Sequence, residues 1–235
     1  MTGTCKTWYL LDMKPYYETE LGKLYHGDCL SIMPQLEPVD LVLTDPPYGI
    51  NIGLSKNHKC GKYGKQGDEQ HINSEWDSLR PSKDTIGIIL RIGKNQIIFG
   101  GNYLADMLPS TRGWVVWDKM NDMFYSTSDG ELIWTSYDKA LRFFRRSHGM
   151  DKGFMVRDGF GNVHPTQKPV AIIIWLIQKY DKDGRSTIDP YLGSGTTAIA
   201  CERLKRKWIG IEIEEKYCEI AAKRIEAERK QLKLF

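Results

Sequence analysis

The sequence predicts an α/β fold with a mostly parallel sheet. Short apolar runs of strand length alternate with helix-period segments along the whole chain, and that alternation builds parallel sheets with helical crossovers. The first two strand candidates are separated by about a dozen residues that include a short helical segment, as a parallel connection requires. With 235 residues, no internal repeat and no second apolar core, the chain fits one sizeable domain.

In chain order, residues 1–22 have no pattern and are expected to be an irregular lead-in. Lys23 to Asp28 is a short strand ending in an acid, Cys29 to Leu36 a short helix, and Val39 to Thr44 an apolar strand. Residues 49–80 are rich in glycine and lysine and have no apolar period. Structureless loops of this length are uncommon in compact domains and are usually functional or mobile. This one begins beside a candidate site, so it is expected to close over a ligand; a merely solvated loop is the alternative. A helix follows at 82–92, a strand at Gln96 to Phe99, a short helix at 102–108, and strands at Gly113 to Trp117 and Glu131 to Trp134. Pro169 suits the first turn of a helix running to Tyr180. Thr187 to Asp189 is a strand, Thr196 to Leu204 a helix and Trp208 to Glu212 a strand. The last helix, about Glu214 to Lys230, sets Tyr217, Ile220, Ala221 and Ile225 at helical spacing.

Composition excludes several classes. The longest apolar run, Val170 to Ile177, is too short to span a bilayer, and the N-terminus lacks a signal-peptide pattern. Five cysteines without paired spacing read as reduced thiols, which suggests a cytoplasmic protein without membrane partners. His58, Cys60 and His71 are irregularly spaced and too few for a structural zinc site, so no metal is expected. The net charge of +3 permits a nucleic-acid partner without demanding one.

Two stretches carry chemistry. Asp45-Pro46-Pro47-Tyr48 follows the strand at 39–44. Neither proline can donate to a sheet ladder, and each fixes its own φ and restricts its predecessor. The chain must leave the sheet in a stiff bracket carrying a carboxylate and an aromatic ring. Such a bracket suits a planar ligand with an amino group: Asp45 and a proline carbonyl accept its N–H bonds, and Tyr48 stacks on its face.

The second stretch, Asp189-Pro190-Tyr191-Leu192-Gly193-Ser194-Gly195-Thr196, joins a strand to a helix. Its glycines allow a tight turn against which a ligand can lie. Glu212 ends the next strand, where a carboxylate can hold both ribose hydroxyls, so a nucleoside-containing ligand is expected at this sheet edge. The pattern also satisfies the dinucleotide fingerprint, and spacing alone leaves both cofactor types open.

The pair of stretches separates them, since an Asp-Pro-Pro-Tyr strand end makes little sense in a dehydrogenase. Over roughly residues 23–230 the chain resembles the DNA amino-methyltransferases, which methylate adenine N6 or cytosine N4. The catalytic motif matches Asp45, Pro46, Pro47 and Tyr48. The cofactor loop matches 189–196, with Tyr191 where phenylalanine is usual, and the ribose-binding acid matches Glu212. His164 to Pro169 looks like the family's segment contacting the methionine part of the cofactor, and Gly27-Asp28 like the acid near its adenine. The motif order resembles the permuted β group. Gly101-Asn102-Tyr103 and 113–119 look like phage and prophage members.

The resemblance implies a Rossmann-like domain with a seven-stranded, mostly parallel sheet and one antiparallel strand. It implies S-adenosyl-L-methionine as cofactor and S-adenosyl-L-homocysteine as product. The implied cofactor residues are Asp28, Cys29, Asp45, Thr166, Lys168, Asp189, Tyr191, Gly193, Ser194, Gly195, Thr196 and Glu212. The region between the two motifs would read the target. In it, 138–163 interleaves Arg142, Arg145, Arg146 and Lys152 with phenylalanines, and these four are the expected DNA contacts. Double-stranded DNA is the expected partner, and the resemblance admits a homodimer and a cognate restriction nuclease. Asp at the first motif position leans toward adenine. Cytosine N4, RNA methylation and a non-catalytic DNA-binding protein are the alternatives. Cytosine C5 chemistry is disfavoured, because it needs a cysteine usually preceded by proline and no cysteine here follows one.

Overall fold

The computed structural model describes residues 13–50, 79–120, 128–145 and 167–232. Its strands are β1 (Tyr17–Glu18), β2 (Gly22–His26), β3 (Val39–Thr44), β4 (Gly93–Phe99), β5 (Val115–Asp118), β6 (Gly130–Thr135), β7 (Arg142–Arg145), β8 (Ser186–Asp189) and β9 (Lys207–Glu212). The helices are α1 (Cys29–Ile32), α2 (Lys83–Ile92), α3 (Val170–Tyr180), α4 (Thr196–Arg203) and α5 (Glu215–Leu232).

The strands form one sheet in the order β1-β2-β9-β8-β3-β4-β6-β5-β7. β2, β9, β8, β3 and β4 run parallel to one another. β6 is antiparallel to both β4 and β5. The expected seven strands with one reversed are therefore β2 to β6 plus β8 and β9. Among the described residues nine are present, because both edges are extended. Within the expected lead-in, Thr19 Oγ1 accepts bonds from the amides of Leu21 and Gly22, and this turn folds β1 back antiparallel on β2. At the other edge, four residues of the basic stretch pair in parallel with β5 as β7. Two-residue β1 and polar β7 carry too little apolar alternation to be read from sequence.

Helix boundaries follow local chemistry. Ser82 caps α2, accepting from the Thr85 amide at 3.1 Å. The helix expected at 29–36 is split into α1 and a 3-10 turn over Met33–Gln35, where Pro34 fits a first-turn position. At 101–108 only a 3-10 turn, Gly101–Tyr103, forms. Apolar residues of α3, α4 and α5 pack on one sheet face, including Ile172, Leu176, Ile199 and Ile225. α1 and α2 cover the other through Ile32, Ile86 and Ile89. Trp117 and Trp134 are core residues, and Trp114 packs at the core margin.

This topology places the site. From β8 the chain passes through α4 to β9 on one side; from β3 it passes through α2 to β4 on the other. Strand order thus reverses between β8 and β3, and a crevice opens beyond the carboxyl ends of such a strand pair. Asp189 and Thr44 are those ends, joined by a 2.8 Å bond from Thr44 Oγ1 to Asp189 Oδ1.

Candidate active site

Both motifs open into one cleft, lined among others by Asp45 to Tyr48, Lys168, Tyr191, Gly193, Thr196, Glu212 and Tyr217. In the bracket, Asp45 Oδ1 accepts from the Tyr48 hydroxyl at 2.5 Å, and Oδ2 pairs with Lys168 Nζ at 2.7 Å. Burial pushes the Asp45 carboxyl above the ordinary range, against the pull of Lys168. The Tyr48 ring stacks on Tyr103, with centroids 4.8 Å apart and planes at 16°. A Cβ on Gly100 would lie 2.1 Å from Tyr48 Cε1, and Gly100 has φ +64°. Only glycine lets the end of β4 accept the tyrosine ring there.

A row of alternating charges runs away from Asp45. Lys168 Nζ lies 3.3 Å from Glu131 Oε2 on β6, and Glu131 Oε1 lies 2.8 Å from Lys119 Nζ just beyond β5. Lys168 is only 8% exposed. Burial favours a neutral amine there, but Asp45 and Glu131 outweigh it and keep Lys168 charged. Burial likewise pushes Glu131 up, yet Lys168 and Lys119 hold it below the usual carboxylate range.

The turn after β8 leaves the N-terminus of α4 without a side-chain cap. Gly195, with φ +90°, is its N-cap and supplies no side-chain bond. The first amides of α4 are therefore left without a side-chain acceptor from the cap. Glu212 accepts from the amides of Gly193 and Glu214, each at 2.8 Å. A carboxylate has about four lone-pair sites, so about two remain beyond these amides. Burial pushes Glu212 up, although its two amide partners oppose this. Behind the turn, buried Arg224 of α5 donates to the Ser194 carbonyl and hydroxyl at 2.6 and 2.8 Å. Ser194 in turn donates to Gln167 at 3.2 Å.

The expected site residues separate into groups. Asp45 to Tyr48, Lys168, Asp189, Tyr191, Gly193, Ser194, Thr196 and Glu212 line the cleft. Lys168, expected to contact the methionine part of the cofactor, sits at Asp45. The Asp189 carboxylate is turned inward as a brace: it accepts from Thr44, from Thr197 at 2.6 Å and from the Tyr191 amide at 3.1 Å. Asp28 caps α1 by accepting from the Leu30 amide and is exposed. Cys29 is a buried free thiol beside Tyr191, whose hydroxyl is raised mainly by burial. Arg142 and Arg145 lie exposed on β7, with Arg145 3.4 Å from Asp118. Thr166, Arg146, Lys152 and residues 51–78 of the expected loop at 49–80 fall outside the described residues. Sequence reasoning assigned no role to Glu131, Lys119, Tyr103 or Arg224. The one available signal was Glu131, an acid beginning an otherwise apolar strand.

Residues 115–223 match the N6/N4 methylase family model, described as DNA methylase. The type II methyltransferase M2.DpnII of Streptococcus pneumoniae is 28% identical over 260 residues, covering 93% of this chain and 95% of its own. M2.LlaDCHI of Lactococcus lactis subsp. cremoris is 29% identical over 255 residues, covering 92% and 93%. Among solved structures, the M1.HpyAVI–SAM complex superposes with a TM-score of 0.55 at 24% identity, covering 87% of this chain and 99% of that one. The cytosine-N4-specific PvuII DNA methyltransferase gives 0.62 at 18% identity, covering 94% and 96%. These two likenesses establish a shared fold.

Proposed function

We propose that this chain, which belongs with the N6/N4 DNA amino-methyltransferases, moves a methyl group from S-adenosylmethionine to adenine N6 in duplex DNA. The observation that carries the reading is the shared cleft. The Asp45–Tyr48 bracket and the Gly193–Glu212 cofactor turn sit on adjacent strands at the switch point. S-adenosylmethionine, when bound, supplies an electrophilic methyl group. Glu212 would hold its ribose, and the turn at 193–196 would receive its remaining polar groups.

The chain's own part is to make a poor nucleophile react. The adenine amine is weak because its lone pair is delocalised into the ring. With one N–H accepted by Asp45 and the other by the Pro46 carbonyl, the nitrogen would be drawn toward tetrahedral geometry with its lone pair free to attack; the new N–C bond would form as the sulfonium C–S bond breaks to leave S-adenosyl-L-homocysteine, and one N–H proton would leave afterwards. Asp45 thus needs a free acceptor site more than basicity. Holding both reactants in attack geometry is the larger part of such catalysis. A target amine inside a duplex must be flipped out, and Tyr48, backed by Tyr103, offers the extruded base a rigid stacking surface.

Adenine is favoured over cytosine by the aspartate at the first motif position and by the greater stacking area of a purine. The test is mass spectrometry of nucleosides after incubating the protein, labelled cofactor and mixed-sequence duplex. N6-methyladenine is expected from wild type and none from Asp45→Ala, which should still bind cofactor. Label only in N4-methylcytosine would overturn the base assignment; label in 5-methylcytosine would overturn the mechanism too.

A further inference from the structure

We propose that Glu131 is a positioning residue for methyl transfer, sharing the Lys168 ammonium with Asp45 so that Asp45 keeps an acceptor site for the target amine. This rests on the reading of Asp45 as the acceptor of that amine. Lys168 is buried between two carboxylates, 2.7 Å from Asp45 and 3.3 Å from Glu131. Its ammonium also lies 5.4 Å from the Phe99 ring centroid and 5.8 Å from that of Tyr48. Asp45 already accepts from Tyr48. Tyr48 and Lys168 leave about two of the four acceptor sites of Asp45, and an ammonium drawn wholly to Asp45 would compete there with the uncharged amine. Glu131 divides that commitment, and Lys119 at 2.8 Å holds Glu131 in place. The four groups come from the end of β3, the segment before α3, β6 and the residue after β5, so no local spacing accounts for their meeting. Their formal charges also cancel.

The charged and titratable groups facing Asp45 are Lys168, Tyr48, Glu131 and, from β8, Asp189, with Tyr103 behind Tyr48. Burial raises Asp45, Lys168 lowers it, and Glu131 raises it. Glu131→Gln removes a negative charge and leaves Lys168 to Asp45, so the Asp45 carboxyl must ionise at lower pH. A protonated Asp45 cannot accept with both oxygens, so its ionisation sets the acid limb of the rate profile.

The experiment measures cofactor affinity by calorimetry and DNA methylation rates across pH for wild type, Glu131→Gln and Glu131→Asp. For Glu131→Gln, kcat should fall by about tenfold or more with cofactor affinity within about twofold, the pattern of a removed transition-state contribution. Its acid limb should move down by about half a pH unit or more. Glu131→Asp restores the charge and should move the limb back. An unmoved limb with kcat within about twofold overturns the proposal, and so does a parallel loss of cofactor affinity. If Glu131→Gln does not fold, the double variant Glu131→Gln/Lys119→Gln, which removes the outer pair together, takes the same measurements. Failure of both to fold makes Glu131 structural and overturns the proposal. Wild-type protein that transfers no methyl group refutes the functional reading itself, and the inference falls with it.

Discussion

Asp189 offers a test of the site's architecture through stability rather than activity. Its carboxylate is buried at the junction of β3, β8 and α4 and held by Thr44, Thr197 and the Tyr191 amide. Burial pushes it up to about 6 despite these three donors, and the charge of Asp45 adds to the rise. An unfolded aspartate titrates near ~3.9. The native state therefore binds the proton more tightly, and stability is lost as pH rises from about 4 through 6. Each pH unit of difference is about 1.36 kcal/mol, so the ionised group costs about 3 kcal/mol at neutral pH. Asp189→Asn removes this titration while its amide can still accept from Thr44 and Tyr191 and donate to Thr197. Urea unfolding of both proteins at pH 4.5 and 7.5 isolates the effect from other carboxylates. The stability of Asp189→Asn relative to wild type should rise by about 2 kcal/mol between those pH values. A difference that stays flat would show that Asp189 is solvated or paired otherwise, and the brace would be refuted.

Two further outcomes follow from the same geometry. Glu212→Ala removes the acceptor of the Gly193 and Glu214 amides as well as the proposed ribose anchor; with about 1.5–3 kcal/mol per charge-assisted bond, cofactor affinity should drop at least ten- to a hundredfold. Unchanged calorimetric affinity in a folded variant would remove Glu212 from the site. Neutralising Arg142, Arg145 and Arg146 together should weaken DNA binding and lower the salt slope by about 0.9 for each phosphate that an arginine no longer neutralises; an unaltered slope would take the 138–163 stretch out of the interface.

What the sequence carried and what it withheld divide along one physical line. Asp45 to Tyr48 and the 189–196 turn are local: prolines and glycines fix the backbone within a few residues, and that chemistry is legible wherever the chain happens to fold. Glu212 was legible because strand β9 follows directly and its end must lie beside that of β8. The parallel core strands were legible for the same reason, while β1 and β7 exist only because a neighbouring edge was available to pair with. Asp189 was assigned to the ligand from its place in the motif, but its partners Thr44 and Thr197 come from different elements and turn it inward. Lys168 was seen as part of a segment next to α3, not as a cation held between β3 and β6. Its two carboxylates are 123 and 37 residues away in the chain, and only the reversed strand β6, inserted between β4 and β5, brings Glu131 to the same end of the sheet as Asp45. The sheet's order thus determines which charges surround the bracket. The bracket itself could have been placed on another sheet with the same residues and a different reactivity.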